Sequence, residues 1–228
     1  MKVAVVVEPA EENRVAAVPG TVGLLRDLGC TVLLEAGAGM RAGFADEEYV
    51  AAGAELAEDA LERADVVLAV QPLSLDQVSR LRMGSACVSF LPVAGNELVV
   101  RALRAGRVSA FAMERMPRLS RAQSMDALTS QSMVAGYRGA VVSTGLLRRF
   151  LPLTMTAAGT IPAAHVLVLG AGVAGLQAIS TTRRLGAVVR GYDVRAASAE
   201  EIRSFGAEAI DLGLEPLTGE AGYARTMN

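Results

Sequence analysis

Short apolar runs alternate with helical patterns along all 228 residues of the chain. Seven runs, at residues 3–7, 32–34, 66–70, 87–91, 108–111, 166–169 and 188–192, are rich in β-branched residues and almost continuously apolar. That is the mark of strands buried on both faces of a parallel sheet. Between them lie helical patterns at 21–28, 46–51, 75–81, 97–105, 173–185 and 199–205. Several stop at a glycine (Gly29, Gly53, Gly106, Gly186 and Gly206), where a left-handed residue closes a helix. Strand, helix, glycine, strand, repeated, predicts an α/β fold.

Two blocks emerge, expected to be Rossmann-like parallel-sheet domains: an N-terminal α/β domain over 1–120 and a second over 161–228. Residues 121–160 join them as a helix and linker. The helix is predicted to run from Ser120 to Phe150, opened by a capping box of Ser120 and Gln123. Pro152 and the 159–162 stretch end it.

Composition narrows the class of partner. Basic residues number 22 against 24 acidic ones, so the surplus of positive charge that a nucleic acid would select is absent. The most apolar stretch, Val166–Ile179, is too short to span a bilayer and is broken by glycines. No secretory leader pattern opens the sequence. Cys30 and Cys87 have neither disulfide nor metal-ligand spacing and read as buried thiols of a soluble, intracellular chain.

The chemistry concentrates at Val166-Leu-Val-Leu-Gly170-Ala-Gly172-Val-Ala-Gly175, a strand running through G-x-G-x-x-G into a helix. Gly170 permits the tight turn, Gly172 lets a pyrophosphate approach the backbone, and Gly175 lets helix and strand pack closely. The amides around Val173 face the phosphates with the positive end of the helix dipole. Asp193 follows the next strand, 18 residues beyond Gly175, placed to accept from the ribose hydroxyls. A carboxylate there repels a 2′-phosphate and favours NAD over NADP, while nearby Arg195 is able to accommodate that phosphate. A glycine turn that merely packs helix on strand remains the bland alternative.

A second constellation lies in Arg118-Leu-Ser-Arg-Ala-Gln123-Ser-Met-Asp126-Ala-Leu-Thr129. On one helix, Gln123, Asp126 and Thr129 form a polar stripe. Amide, carboxylate and hydroxyl suit a carboxamide and a ribose, with Arg118 supplying a cation. A solvated helix face accounts for the same pattern.

With Ala135-Gly-Tyr-Arg138, Met155-Thr-Ala-Ala-Gly159, Tyr192-Asp-Val-Arg195, Arg14-Val-Ala-Ala-Val-Pro19 and Glu35-Ala-Gly-Ala-Gly39, these segments resemble the NAD(H)-binding component of proton-translocating nicotinamide nucleotide transhydrogenases. The resemblance covers essentially the whole chain, and the fold is shared with alanine dehydrogenase. It implies that Arg118, Gln123, Asp126 and the hydroxyl of Thr129 hold the nicotinamide end, Gln123 and Asp126 positioning hydride transfer. Thr129 stands where the family usually has Ser. Val173, Asp193, Val194 and Arg195 are implied to line phosphates and adenosine, and Gly222, in Ala221-Gly-Tyr-Ala224, the loop that closes over bound nucleotide. NADP(H) is implied on a partner component, proton movement in a membrane subunit, and a homodimer at the inner face of the cell membrane, with no segment inserted.

An alanine dehydrogenase chemistry is tested by residues. Where those enzymes carry a Lys and a His, this chain reads Ala69-Val-Gln-Pro72 and Phe90-Leu-Pro92. Its one histidine, His165, is expected at the surface. Hydride passing directly between two nicotinamides needs positioning rather than a protein acid or base. A non-catalytic NAD-binding protein is the other alternative. Against the family, Asn228 falls within the closing loop, so the second domain is expected to be incomplete, to present an uncovered edge near 208–210, and to be less protected over 160–228 than residues 1–150.

Overall fold

β1 (Lys2–Val5) pairs in parallel with β2 (Thr31–Leu34) on one side and β4 (Val66–Leu68) on the other. In the computed structural model, which describes residues 1–117 and 119–214, these form the centre of a six-stranded sheet. Its order is β3-β2-β1-β4-β5-β6, with β3 (Glu55–Leu56), β5 (Ala86–Ser89) and β6 (Ser109–Ala112), all parallel. The order reverses between β1 and β4, as in a doubly wound sheet.

Alternation along the strands feeds two cores. Ala4, Val6, Leu33 and Val67 pack on one face with Leu61, Val78 and Leu103. Val5, Val32 and Leu34 pack on the other with Val22 and Tyr49. The helices are α1 (Pro19–Asp27), α2 (Asp46–Ala51), α3 (Ala60–Arg63), α4 (Leu75–Ser79) and α5 (Glu97–Ala105). Local chemistry starts several of them: Pro19 stands at the head of α1. Ser74 and Gln77 make a reciprocal capping box on α4, at 2.9 and 3.1 Å. Gly29, Gly53, Gly186 and Gly206 take the left-handed conformation, but Gly106 does not. Its φ is −74°, and Arg107, at φ 52°, is the left-handed residue there.

Contacts divide the chain into two units, Met1–Asp126 and a second beginning at Ala127. The single helix expected from Ser120 is two elements. Ser120–Met125 is a 3-10 helix preceded by Leu119, with no side-chain cap, and Asp126 at ψ 83° interrupts it before α6 (Ala127–Leu146). Asp directly before a first helical residue is a favoured start, and it overrides the weaker signal at Ser120. The expected linker also holds a β-hairpin of β7 (Thr154–Thr156) and β8 (Gly159–Ile161).

The second unit carries a three-stranded parallel sheet in the order β11-β10-β9, with β9 (His165–Leu169), β10 (Val188–Tyr192) and β11 (Glu208–Ala209). Helices α7 (Val173–Arg184) and α8 (Ser198–Ser204) bury Ile179, Val189 and Ile202 against it. Burial of β9 on both faces is not observed: Leu167 and Leu169 are exposed, at 54% and 72%. Among the described residues β11 lies at one edge of this sheet and β9 at the other, each with β10 as its one strand neighbour. His165 is exposed, and Cys30 and Cys87 are buried free thiols, as the sequence predicts.

Candidate functional site

β9 delivers its chain into a turn that only glycine tolerates. Gly170 sits at φ 93°, a region costly for any residue with a Cβ. The chain then enters α7 at Val173, with Gly172 in extended backbone just before it. A Cβ built on Gly175 would stand 1.7 Å from the carbonyl oxygen of Gly170. A Cβ on Gly172 would meet no protein atom within 4 Å, so that side of the turn is open for close approach. Behind α7, a Cβ on Gly136 of α6 would lie 2.1 Å from the carbonyl oxygen of Ala174. Thus α6, α7 and the turn are spaced by glycines at both contacts.

Asp193, directly after β10, reaches back to this turn. Its Oδ2 accepts from the Ala171 amide at 2.6 Å, and its Oδ1 accepts from the backbone amide and Nε of Arg195 at 2.8 and 2.9 Å. Burial pushes the carboxyl up, but the Arg195 guanidinium and the two amides outweigh it and hold it at about 2. Beyond Asp193 a cleft of about 560 Å³ runs along the ends of β10 and β11, lined by Asp193, Val194, Arg195, Arg203, Asp211 and Leu212 among others. Gly170, Gly172, Val173, Gly175, Asp193, Val194 and Arg195 are therefore gathered at one end of one sheet.

The polar stripe does not lie on one helix. Gln123 is exposed on the 3-10 helix, Asp126 occupies the break, and Thr129 is exposed in the first turn of α6. Arg118 and Gly222 lie outside the described residues. Arg203, Asp211 and Leu212 had no motif to announce them: they reach the cleft because α8 and β11 pack beside β10.

A second polar cluster occupies the switch point of the first unit. Glu8, following β1, accepts from the amides of Val70 and Gln71, following β4, at 2.6 and 3.0 Å. Glu12 accepts from Nε and Nη2 of Arg14 at 2.8 and 2.7 Å and from Nε2 of Gln71 at 2.7 Å. Arg41 crosses to the carbonyls of Glu8, Pro9 and Glu12. Of these, the sequence singled out only Arg14 and Gln71. The Arg14 side chain holds Glu12 at about 2, whereas burial raises Glu8.

Family models cover nearly all of the chain: the alanine dehydrogenase/PNT N-terminal domain matches residues 4–135 and the C-terminal domain residues 140–224. The chain belongs to the alanine dehydrogenase/PNT family. It is 47% identical over 227 residues to the first portion of the NAD(P) transhydrogenase alpha subunit of Rhodospirillum rubrum, covering 95% of this chain and 59% of that one. The crystal structure of transhydrogenase from Sinorhizobium meliloti superposes with a TM-score of 0.89 at 45% identity, over 92% of this chain and 64% of that one. An L-alanine dehydrogenase superposes at 0.80 with 26% identity, over 92% and 60%. The chain thus spans about three fifths of the length of these family members.

The two depressed carboxyls make this family member acid-sensitive in a defined direction. A carboxylate held lower in the folded chain stabilises the fold above its unfolded value and loses that contribution as pH falls toward the folded one. For Glu12 the window runs from about 4.5 down to about 2 and is worth about 3 kcal/mol. Glu8 has the opposite sign, gaining as pH falls toward 4.5, and offsets part of the loss. Glu12→Gln should therefore lower the urea midpoint at pH 6 and show less than half that deficit at pH 3. A deficit equal at both pH values would refute the assignment.

Proposed function

We propose that this chain is the NAD(H)-binding part of a proton-translocating transhydrogenase, positioning a nicotinamide for hydride exchange with NADP(H) on a partner component. The observation that carries this is the glycine turn with Asp193 hydrogen-bonded to its Ala171 amide, beside an open cleft. The residues suit a dinucleotide: Gly172 leaves room for a pyrophosphate, the first amides of α7 face it, and Asp193 offers a carboxylate to the adenosine ribose. When bound, the nicotinamide supplies the hydride chemistry. Gln123, Asp126, Thr129 and Arg118 orient the carboxamide and ribose at its end, and no residue acts as acid or base. Val194 and Arg195 flank the adenosine, and Gly222 belongs to the closing segment.

Proton coupling belongs to a membrane subunit, and this chain docks against it from the inner face of the cell membrane. Among the described residues, no helix is long and apolar enough to cross a membrane. A homodimer is supported by α6, which carries a single charge, on Arg138, and leaves Met133, Val134, Tyr137 and Val142 exposed at 40% or more. Large apolar side chains exposed together on one helix call for cover. Against an amino-acid dehydrogenase stands the Ala69-Val-Gln-Pro72 stretch, which lacks the Lys that those enzymes carry before their Glu-Pro, and whose Gln71 is bonded to Glu8 and Glu12.

NADH binding, followed by nucleotide fluorescence, should be tighter than NADPH binding. Asp193→Ala should weaken NADH about tenfold or more, the scale of a lost hydrogen bond to a charged group, and narrow the gap. Equal dissociation constants for the two nucleotides in the unmodified chain would overturn the assignment. Mixing the chain with a purified NADP-binding component and following reduction of a nicotinamide analogue separates a transhydrogenase component from a non-catalytic binder.

A further inference from the structure

Asp193 is the residue assigned to the ribose, and its carboxylate is already full. An ionised carboxylate offers about four lone-pair directions, two per oxygen. Here Oδ1 accepts from the amide and Nε of Arg195, and Oδ2 from the Ala171 amide and, at 3.1 Å, from Nη2 of Arg195. Two of these donors are backbone amides, fixed by the glycine turn and by the turn after β10. The other two belong to one guanidinium, whose side chain is 22% exposed while that of Asp193 is 7% exposed. A ribose that donates two hydroxyls to Asp193 can take only the places that the guanidinium now fills.

We propose that Arg195 is the specificity-determining residue of the ribose subsite: it competes with the ribose hydroxyls for Asp193 and leaves it when a dinucleotide binds. The inference rests on the nucleotide reading given above. The released guanidinium stays within the same cleft, which Arg203 and Asp211 also line, and Glu201 on α8 already acts on it electrostatically. While the pair is closed, each charge cancels the other. A 2′-phosphate then meets an ion pair of little net charge, with a guanidinium at hand to pair with it. NADH selectivity is therefore weaker than a bare aspartate would impose.

Removing the guanidinium should move the two nucleotides in opposite directions. The hydroxyls lose their competitor, and the phosphate loses its cation and faces an uncovered negative charge. A residue that only braced Asp193 would, when removed, weaken both. The test is titration of NADH and NADPH into the full wild-type chain, Arg195→Ala and Arg195→Gln at neutral pH. The NADH dissociation constant should fall about threefold or more in Arg195→Ala, and the NADPH constant should rise, widening their ratio about tenfold. Arg195→Gln should lower the NADH constant and raise the NADPH constant by less than Arg195→Ala does, and serves if the alanine variant misfolds by circular dichroism. Calorimetry with AMP and 2′,3′-dideoxy-AMP locates the effect: AMP should gain affinity in the variant, and the dideoxy compound should not. An NADH constant unchanged or raised in a folded variant, or equal gains for both monophosphates, overturns the inference alone. A wild-type chain that binds neither nucleotide overturns the nucleotide reading and this inference with it.

Discussion

Gly175→Ala should unfold the second unit at markedly lower urea than wild type and abolish NADH binding. The added Cβ would stand 1.7 Å from the Gly170 carbonyl oxygen and 3.5 Å from Val168 Cγ1. Alanine improves helix propensity by about 1 kcal/mol, which at an open site would stabilise α7. Here the obstacle is backbone, and Gly170 is already committed to φ 93°, so relief requires pulling the turn off the strand. That movement also draws the Ala171 amide away from Asp193. Overpacking against fixed backbone costs about 3 kcal/mol or more, which exceeds the propensity gain. Gly139→Ala is the control: on α6, a Cβ there meets nothing within 4 Å, so this change should be neutral or stabilising. Urea curves followed by circular dichroism, with NADH titrations, read both. A Gly175→Ala chain that binds NADH and unfolds like wild type would refute the packing argument.

Tyr49→Ala should cost the first unit about 4 kcal/mol, near the upper end for a single core substitution. Tyr49 is fully buried on α2, edge-on to Phe44 at 6.4 Å, and its hydroxyl donates to the Ala17 carbonyl at 2.8 Å. Gly39 is shaped around it: a Cβ there would lie 2.5 Å from Tyr49 Cε2. Truncation leaves a cavity and an unpaired buried carbonyl together. Tyr49→Phe keeps the ring and should cost only about 1 kcal/mol, the scale of the hydrogen bond. If the alanine variant lies within about 1 kcal/mol of wild type by urea midpoint, the pocket collapses more easily than its close contacts imply.

Both variants probe positions that a sequence reading reaches unequally. The glycine turn was legible because its determinants are local: strand, three glycines and helix stand within one short stretch, and each glycine answers a constraint set by its neighbours. Helix α5 was legible to the residue for the same reason, by periodicity and a final Gly106. Even there the left-handed conformation falls on Arg107, which composition would not suggest. Capping shows where local pattern runs out. Ser-x-x-Gln occurs at Ser74–Gln77 and at Ser120–Gln123, and only the first makes the reciprocal bonds. The two stretches read alike, and the break at Asp126 separates them.

The sequence by itself determined the parallel α/β class, the order of most strands and helices, and the residues of the glycine turn, because periodicity and turn chemistry are written within a few residues. Tertiary structure decided which groups meet. One acceptor position of the Asp193 carboxylate is filled by an amide 22 residues away. Glu8 is bonded to amides 62 and 63 residues away. Such partners are chosen by strands aligning their ends in one sheet, and nothing within a local window records how many lone pairs remain once the chain has closed on them.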